Sequence, residues 1–164
     1  MDAHSLECLD FPRVRELLAN YAATALGKGL ALAVRPSTRA DLIRRWLAQV
    51  SELRTLTDER GLPPFAGVRD VREGIRRCTP PLQVQVEEMA AIGDTLAATH
   101  EICRYLADLP ESMPELRHLG ERIGDFQVIA ERIRRVIDDR CNVRDDASPK
   151  IARIRRDVVE AHGQ

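Results

Sequence analysis

Apolar residues in this chain recur at steps of three and four, and prolines or glycines cut the pattern into segments. That spacing gathers the apolar side chains of each segment on one face of an α-helix, so the chain must fold as helices packed stripe to stripe. Val14, Leu17, Leu18, Tyr21 and Ala25 draw the first stripe. Leu42, Trp46, Val50, Leu53 and Leu56 draw the second and are expected to face inward, with Ile43 and Leu47 beside them. Phe126, Ile129, Ile133 and Ile137 repeat the pattern later in the chain. Only 4% of the residues are aromatic against 44% hydrophobic, so the core is left to Leu, Ile, Val and Ala, as helix packing prefers. The expected fold class is all-α, an irregular bundle of about six or seven helices.

Punctuation places the segments. Asp10 is expected to cap a helix that carries Pro12 in its first turn. Gly27 and Gly29 predict a bend or break near Leu26-Gly27-Lys28. Ser37-Thr38 is expected to cap a long second element ending about Asp58, and Gly61-Leu62-Pro63-Pro64-Phe65-Ala66-Gly67 reads as a loop. A short helix around Arg69 to Arg77 stops at Thr79-Pro80-Pro81. The third long helix, Val84 to Ala107, is expected to bury Val86, Met89, Ala90, Leu96, Cys103 and Leu106. A shorter helix covers Pro114 to Ile123, and Arg140 to Asp146 reads as a turn with a small β-hairpin around Cys141-Asn142-Val143-Arg144. Ser148 then caps the last helix, with Pro149 at its first position. Ile151, Ile154, Val158 and Ala161 step by 3, 4 and 3 residues, the seam of a coiled coil, which calls for a partner helix. The competing reading has this helix packed on its own domain.

Charge and composition exclude several function classes. Basic and acidic residues number 25 and 26, so no global positive field attracts nucleic acid. A chain with 31% charged residues and this apolar content is neither disordered nor collagenous. No apolar run reaches the roughly 20 residues of a membrane span, and none has the form of a secretory signal. Cys8, Cys78, Cys103 and Cys141 follow no disulfide framework and read as reduced thiols in a cytoplasmic protein.

The chain carries few candidates for chemistry. No phosphate-binding G-x-x-x-x-G-K-[ST] occurs, because Gly27-Lys28 lacks the upstream glycine and the following hydroxyl. His100 and Cys103 have a legal spacing for two metal ligands, but no second pair stands near them in sequence. Glu87-Glu88, Asp138-Asp139 and Asp145-Asp146 are adjacent pairs, which do not face each other on a helix, so no catalytic dyad is expected. Asp145-Asp146 instead suits the positive end of the following helix. Arg132, Arg134 and Arg135 form one basic cluster and Lys150, Arg153, Arg155 and Arg156 another; interleaved acids make both read first as solvated faces. No catalytic, cofactor-binding or metal-ligating residue is assigned.

Specific strings add to this reading. Leu6-Glu7-x-Leu9-Asp10-Phe11, Leu17-Leu18-Ala19-x-Tyr21-Ala22-Ala23-Thr24-x-Leu26-Gly27-Lys28 and Arg35-Pro36-Ser37-Thr38 resemble the N-terminus of a MutS-type ATPase, in its bacterial MutS-two branch. The resemblance continues through Gly61-Leu62-Pro63-Pro64, Val68-Arg69-Asp70-Val71-Arg72 and Ile92-x-Asp94-Thr95-Leu96. It ends in Val143-x-Asp145-x-Ala147-Ser148-Pro149-x-Ile151-x-Arg153-Ile154-Arg155-Arg156 and covers essentially the whole chain. Arg140-Cys141-Asn142 departs from it, standing where a glycine-containing turn is usual, and Arg144 replaces an apolar residue.

The resemblance implies a helical core over residues 1–146 and the start of a lever helix over 147–164. The returning lever, the clamp, an ATPase domain using ATP and Mg, and an Smr nuclease domain would lie elsewhere in a longer homodimeric protein. The family is associated with binding branched or mismatched DNA, recombination suppression, endonuclease activity and, in some members, collided ribosomes. On this reading the chain is no enzyme itself. Ser148 and Pro149 would set the lever's angle, and Ile151, Ile154 and Val158 would register it. Arg153, Arg155 and Arg156 would be the residues to meet phosphates. A stand-alone nucleic-acid-binding module and a protein-interaction scaffold are the alternatives; the scaffold would fold the last helix back onto its own domain.

Overall fold

The computed structural model describes residues 3–162. Nine α-helices occur among them: α1 (Ala3–Cys8), α2 (Phe11–Asn20), α3 (Ala25–Leu32), α4 (Ala40–Arg60), α5 (Arg72–Arg77), α6 (Val86–Tyr105), α7 (Pro114–Glu121), α8 (Gln127–Val136) and α9 (Pro149–His162). The all-α expectation holds. Among the described residues the only β-type pairing is an isolated antiparallel bridge between Ile137 and Val143. The chain divides into two compact units, one formed by the chain up to Asp70 with Ala98–Gly124, the other by Val71–Ala97 with Asp125 onward.

The first unit is centred on the pairing of α4 with α7. Leu56 is wholly buried there against Met113 and Leu116, and Leu53, Tyr105, Leu106, Leu109 and Leu119 pack around them. The helix ends are closed by side chains from other elements. The residue preceding α7 is Met113, whose side chain has no oxygen to cap the free amides. Glu52 of α4 does that work instead, accepting from the N–H groups of Glu115 (3.3 Å) and Leu116 (2.8 Å). At the other end of α4, Arg60 donates to the carbonyls of Tyr105 (2.9 Å), Ala107 (3.0 Å) and Asp108 (3.4 Å), satisfying acceptors at the end of α6. The Tyr105 hydroxyl donates to Gly61 O at 2.7 Å, which pins the start of the loop predicted at Gly61–Gly67.

Several local expectations are corrected. Asp10 precedes α2 but takes a left-handed conformation (φ 51°) and makes no side-chain cap. The break after α2 falls at Tyr21–Thr24 rather than at Leu26-Gly27-Lys28, because the Thr24 hydroxyl accepts from Gly27 N–H at 3.0 Å and starts α3. Both glycines therefore lie inside α3, where packing on α2 offsets their low helix propensity. Ser37 accepts from Arg39 N–H at 3.2 Å, a local turn, and α4 begins only at Ala40, preceded by Arg39 with no side-chain cap.

Burial is corrected too. Val14, Leu17, Leu18 and Tyr21 of the first stripe are exposed, as are Trp46, Leu47 and Val50 of α4. Trp46 points nearly the same way as Leu53, two turns along. Glu115 of α7 reaches Arg45 (4.0 Å) and Gln49 (3.3 Å) on either side of Trp46, but the indole itself stays exposed. On α6 the fully buried positions are Ile92, Gly93 and Ala98, none of them among the six expected.

The second unit is held by small residues. Gly93 of α6 lets Ile133 of α8 approach so closely that a Cβ at 93 would lie 2.8 Å from Ile133 Cγ2. Ala130 and Ile137 are buried, whereas Phe126 and Ile129 of the predicted stripe are exposed. Arg77 and Glu88 form an ion pair at 2.8 Å between α5 and α6. No described helix is long and apolar enough to cross a membrane.

Candidate functional site

The residues singled out near the C-terminus meet at the root of α9. The predicted hairpin is reduced to one bridge and two flanking bonds: Asp138 N–H donates to Asn142 O (2.9 Å) and Arg144 N–H to Val136 O (2.8 Å). Its turn is organised by Asp138, whose carboxylate accepts from the N–H groups of Arg140 (2.9 Å) and Asn142 (2.8 Å). The Asn142 amide above all, with that of Arg140 and the nearby Arg144 charge, holds the Asp138 carboxyl below its ordinary value. Cys141 sits in the left-handed region at φ 58°, a conformation that favours glycine. A non-glycine residue in this conformation has a physical cost, and the Asp138 bonds to Arg140 and Asn142 hold it from either side.

The chain then enters α9. Ser148 Oγ accepts from Ile151 N–H at 3.2 Å, and Pro149 occupies the first helical position. Of the seam, Ile151 is half-buried, Ile154 and Val158 are each 50% exposed, and Ala161 is exposed. Among the arginines, Arg155 reaches back to the turn, pairing with Asp145 and donating to Val143 O at 2.8 Å. Arg153 lies 3.9 Å from Asp157 on the same exposed face. Arg156 makes no ion pair with the described residues and shares a groove with Asp146, Val159 and Glu160.

Two features escaped sequence reasoning. In the sequence Asp138 reads only as half of an acidic pair, while in the fold it gathers turn amides. Arg134 and Arg135 of α8 converge with Arg144 in a cleft of about 580 Å³ that Glu131, Asp146 and Ala147 complete. The Arg144–Val136 backbone bond brings that residue to the end of α8, a pairing across eight residues that no local pattern announces. Elsewhere, Cys8 and His4 lie 3.6 Å apart on α1, and Cys103 Sγ donates to Ile123 O at 3.7 Å. No group of three His, Cys, Asp or Glu side chains that could hold a metal occurs among the described residues.

Comparison with known proteins assigns the chain to a family. No protein-family model matches it. It is 31% identical over 158 residues to the endonuclease MutS2 of Symbiobacterium thermophilum, covering 96% of this chain and 20% of that protein. It is 33% identical over 155 residues to the endonuclease MutS2 of Thermus thermophilus (93% of this chain, 19% of that protein). With the endonuclease MutS2 of Halothermothrix orenii the match is 27% over the whole chain and 22% of the relative. The chain belongs to the MutS2 family. It spans about a fifth of the length of the MutS2 relatives it matches. The family resemblance read from the sequence strings is thereby confirmed, and the root of α9 is a feature of a MutS2 chain.

Proposed function

We propose that this chain is the core and the start of the lever of a MutS2-type protein, with a mechanical task. A packed helical body would pass the nucleotide state of an ATPase dimer to a clamp on nucleic acid, a coupling that needs a rigid element and no chemistry of its own. ATP and Mg would be bound by another domain of the same cytoplasmic protein, as would the nuclease activity that the relatives' name carries. The target would be branched or mismatched DNA, in recombination suppression, or a collided ribosome.

One observation carries this reading: the aliphatic edge of α9 stays half-open to water, at coiled-coil spacing, while the helix's root is tightly fixed. A scaffold that folded its last helix home would have covered that edge. Fixing comes from the Ser148 cap and from Arg155, which ties α9 to Val143 and Asp145 and so sets the angle at which the rod leaves the turn. The returning lever is the partner that a 3-4 seam with Ile151, Ile154 and Val158 would accept.

The test uses a full-length MutS2 protein that contains this segment. Ile154→Asp with Val158→Asp is expected to leave basal ATP hydrolysis unchanged and to abolish its response to branched DNA. A response that survives both charges overturns the lever reading. Preferential binding of branched over linear duplex by the 164-residue chain alone would favour the independent module instead.

A further inference from the structure

We infer that Arg134, Arg135 and Arg144 form a seat for the phosphate backbone of a nucleic acid, a site distinct from the arginines of α9. Three guanidinium groups line one cleft of about 580 Å³ with Glu131, Asp146 and Ala147. All three are exposed, and none of them makes an ion pair with the described residues. The acids nearby also have other donors, while Glu131 still faces the cleft and Asp138 still feels the Arg144 charge. Asp145 is taken by Arg155, the Asp138 carboxylate gathers two turn amides, and Glu131 accepts from Gln127 Nε2 at 2.9 Å. The cleft lining itself sets three cations against the two carboxylates of Glu131 and Asp146.

The seat is also held in place. Arg134 and Arg135 stand in the last turn of α8, and Arg144 is fixed beside them by its backbone bond to Val136 O. Guanidinium forks suit phosphate oxygens, and the planar fork loses less entropy per hydrogen bond formed than a flexible ammonium. The chemistry of the lining selects the ligand. No aromatic ring and no large apolar wall stands in the cleft to receive a base, so a free nucleotide would be held by its phosphates alone. A polymer that offers successive phosphates, read without regard to sequence, fits this lining better.

The inference stands apart from the lever reading, since it concerns where phosphate meets the root of the rod and not what the rod transmits. The test is titration of the 164-residue chain into a labelled linear duplex, followed by fluorescence anisotropy. With about three phosphates neutralised, log affinity should fall against log salt with a slope near −2.7, roughly fortyfold between about 50 and about 200 mM. Arg134→Gln with Arg135→Gln and Arg144→Gln should lose at least about tenfold in affinity and flatten the slope. The triple lysine variant should keep most of the binding, which separates charge from damage to the fold. Arg153→Gln with Arg156→Gln should bind as the parent does.

Wild-type-like binding by the triple glutamine variant, or no binding by the parent at about 50 mM salt, overturns the proposal. So does equal affinity for polyglutamate, which would assign the cleft to an acidic protein.

Discussion

The α4–α7 pair and the α9 rod begin from the same kind of sequence and end in opposite states. Each carries apolar residues at helical spacing, Leu53 and Leu56 on one, Ile151, Ile154 and Val158 on the other. Leu56 is wholly buried and its neighbours' helix ends are closed by Glu52 and Arg60. Ile154 has half its surface in water, and α9 is tied to the preceding turn at its root. The difference teaches that a stripe specifies a face to be covered, while what covers it is decided by another element. Within α4 itself the same contrast appears, since Trp46 shares the direction of Leu53 yet stays exposed, although Glu115 of α7 reaches Arg45 and Gln49 on either side of it.

Leu56→Ala gives the largest expected effect. Its side chain fills the centre of the first unit, so truncation removes the transfer energy and leaves a cavity lined by Met113 and Leu116. A loss of about 3–5 kcal/mol in urea unfolding is expected. A loss below about 1 kcal/mol would mean that the α4–α7 pair is no more closed than the rod, and the comparison would fail.

How much of this was legible follows from the same physics. The long helices, the Gly61–Gly67 loop and the Ser148-Pro149 start were readable because each rests on residues a few positions apart, whereas α1, ahead of Asp10, was not, and nine described helices stand against the six or seven expected. The break falls at Tyr21–Thr24 because the Thr24 hydroxyl caps α3, which outweighs the helix-breaking tendency of Gly27 and Gly29 that the sequence displays more openly. Which residues are buried was poorly legible. Ile92 and Gly93 are buried while Trp46 and Val50 are not, because burial depends on the place of the opposing helix. At the candidate site, the Ser148 cap was visible in sequence, but the reach of Arg155 over ten residues to Asp145 was not. Nor was the convergence of Arg134 and Arg135 with Arg144, which depends on a turn that Asp138 organises through backbone amides.

That turn offers the next test, of intermediate size, because it fixes the root that distinguishes α9 from a frayed terminus. The Asp138 carboxyl is lowered from 3.8 in the folded chain, chiefly by the Asn142 amide. A depressed carboxylate contributes stability that is complete above its unfolded value and is lost as pH falls through the folded one. Asp138→Ala should therefore unfold at lower urea than the parent at neutral pH, and the gap should close progressively below about pH 4. The protection factors of the Arg140 and Asn142 amide protons, taken against their intrinsic exchange at each pH, should fall over the same range. A gap that persists unchanged at low pH would show that the turn is held by packing and not by this charge.

The smallest effect is expected on the rod. Ile154→Ser removes a side chain that is already half-hydrated in the chain itself. Serine and isoleucine have similar helix propensities, so only the buried half counts. Against about 1.5–3 kcal/mol for a fully buried aliphatic side chain, the loss should stay near or below about 1 kcal/mol. Urea unfolding of the 164-residue chain, set beside that of Leu56→Ala, measures the comparison directly. In a full-length MutS2 protein the same substitution should cost more, because a returning lever would bury the other half of the side chain. An equal cost in both would place the rod's edge in water throughout, and the seam would then have no mechanical partner to register.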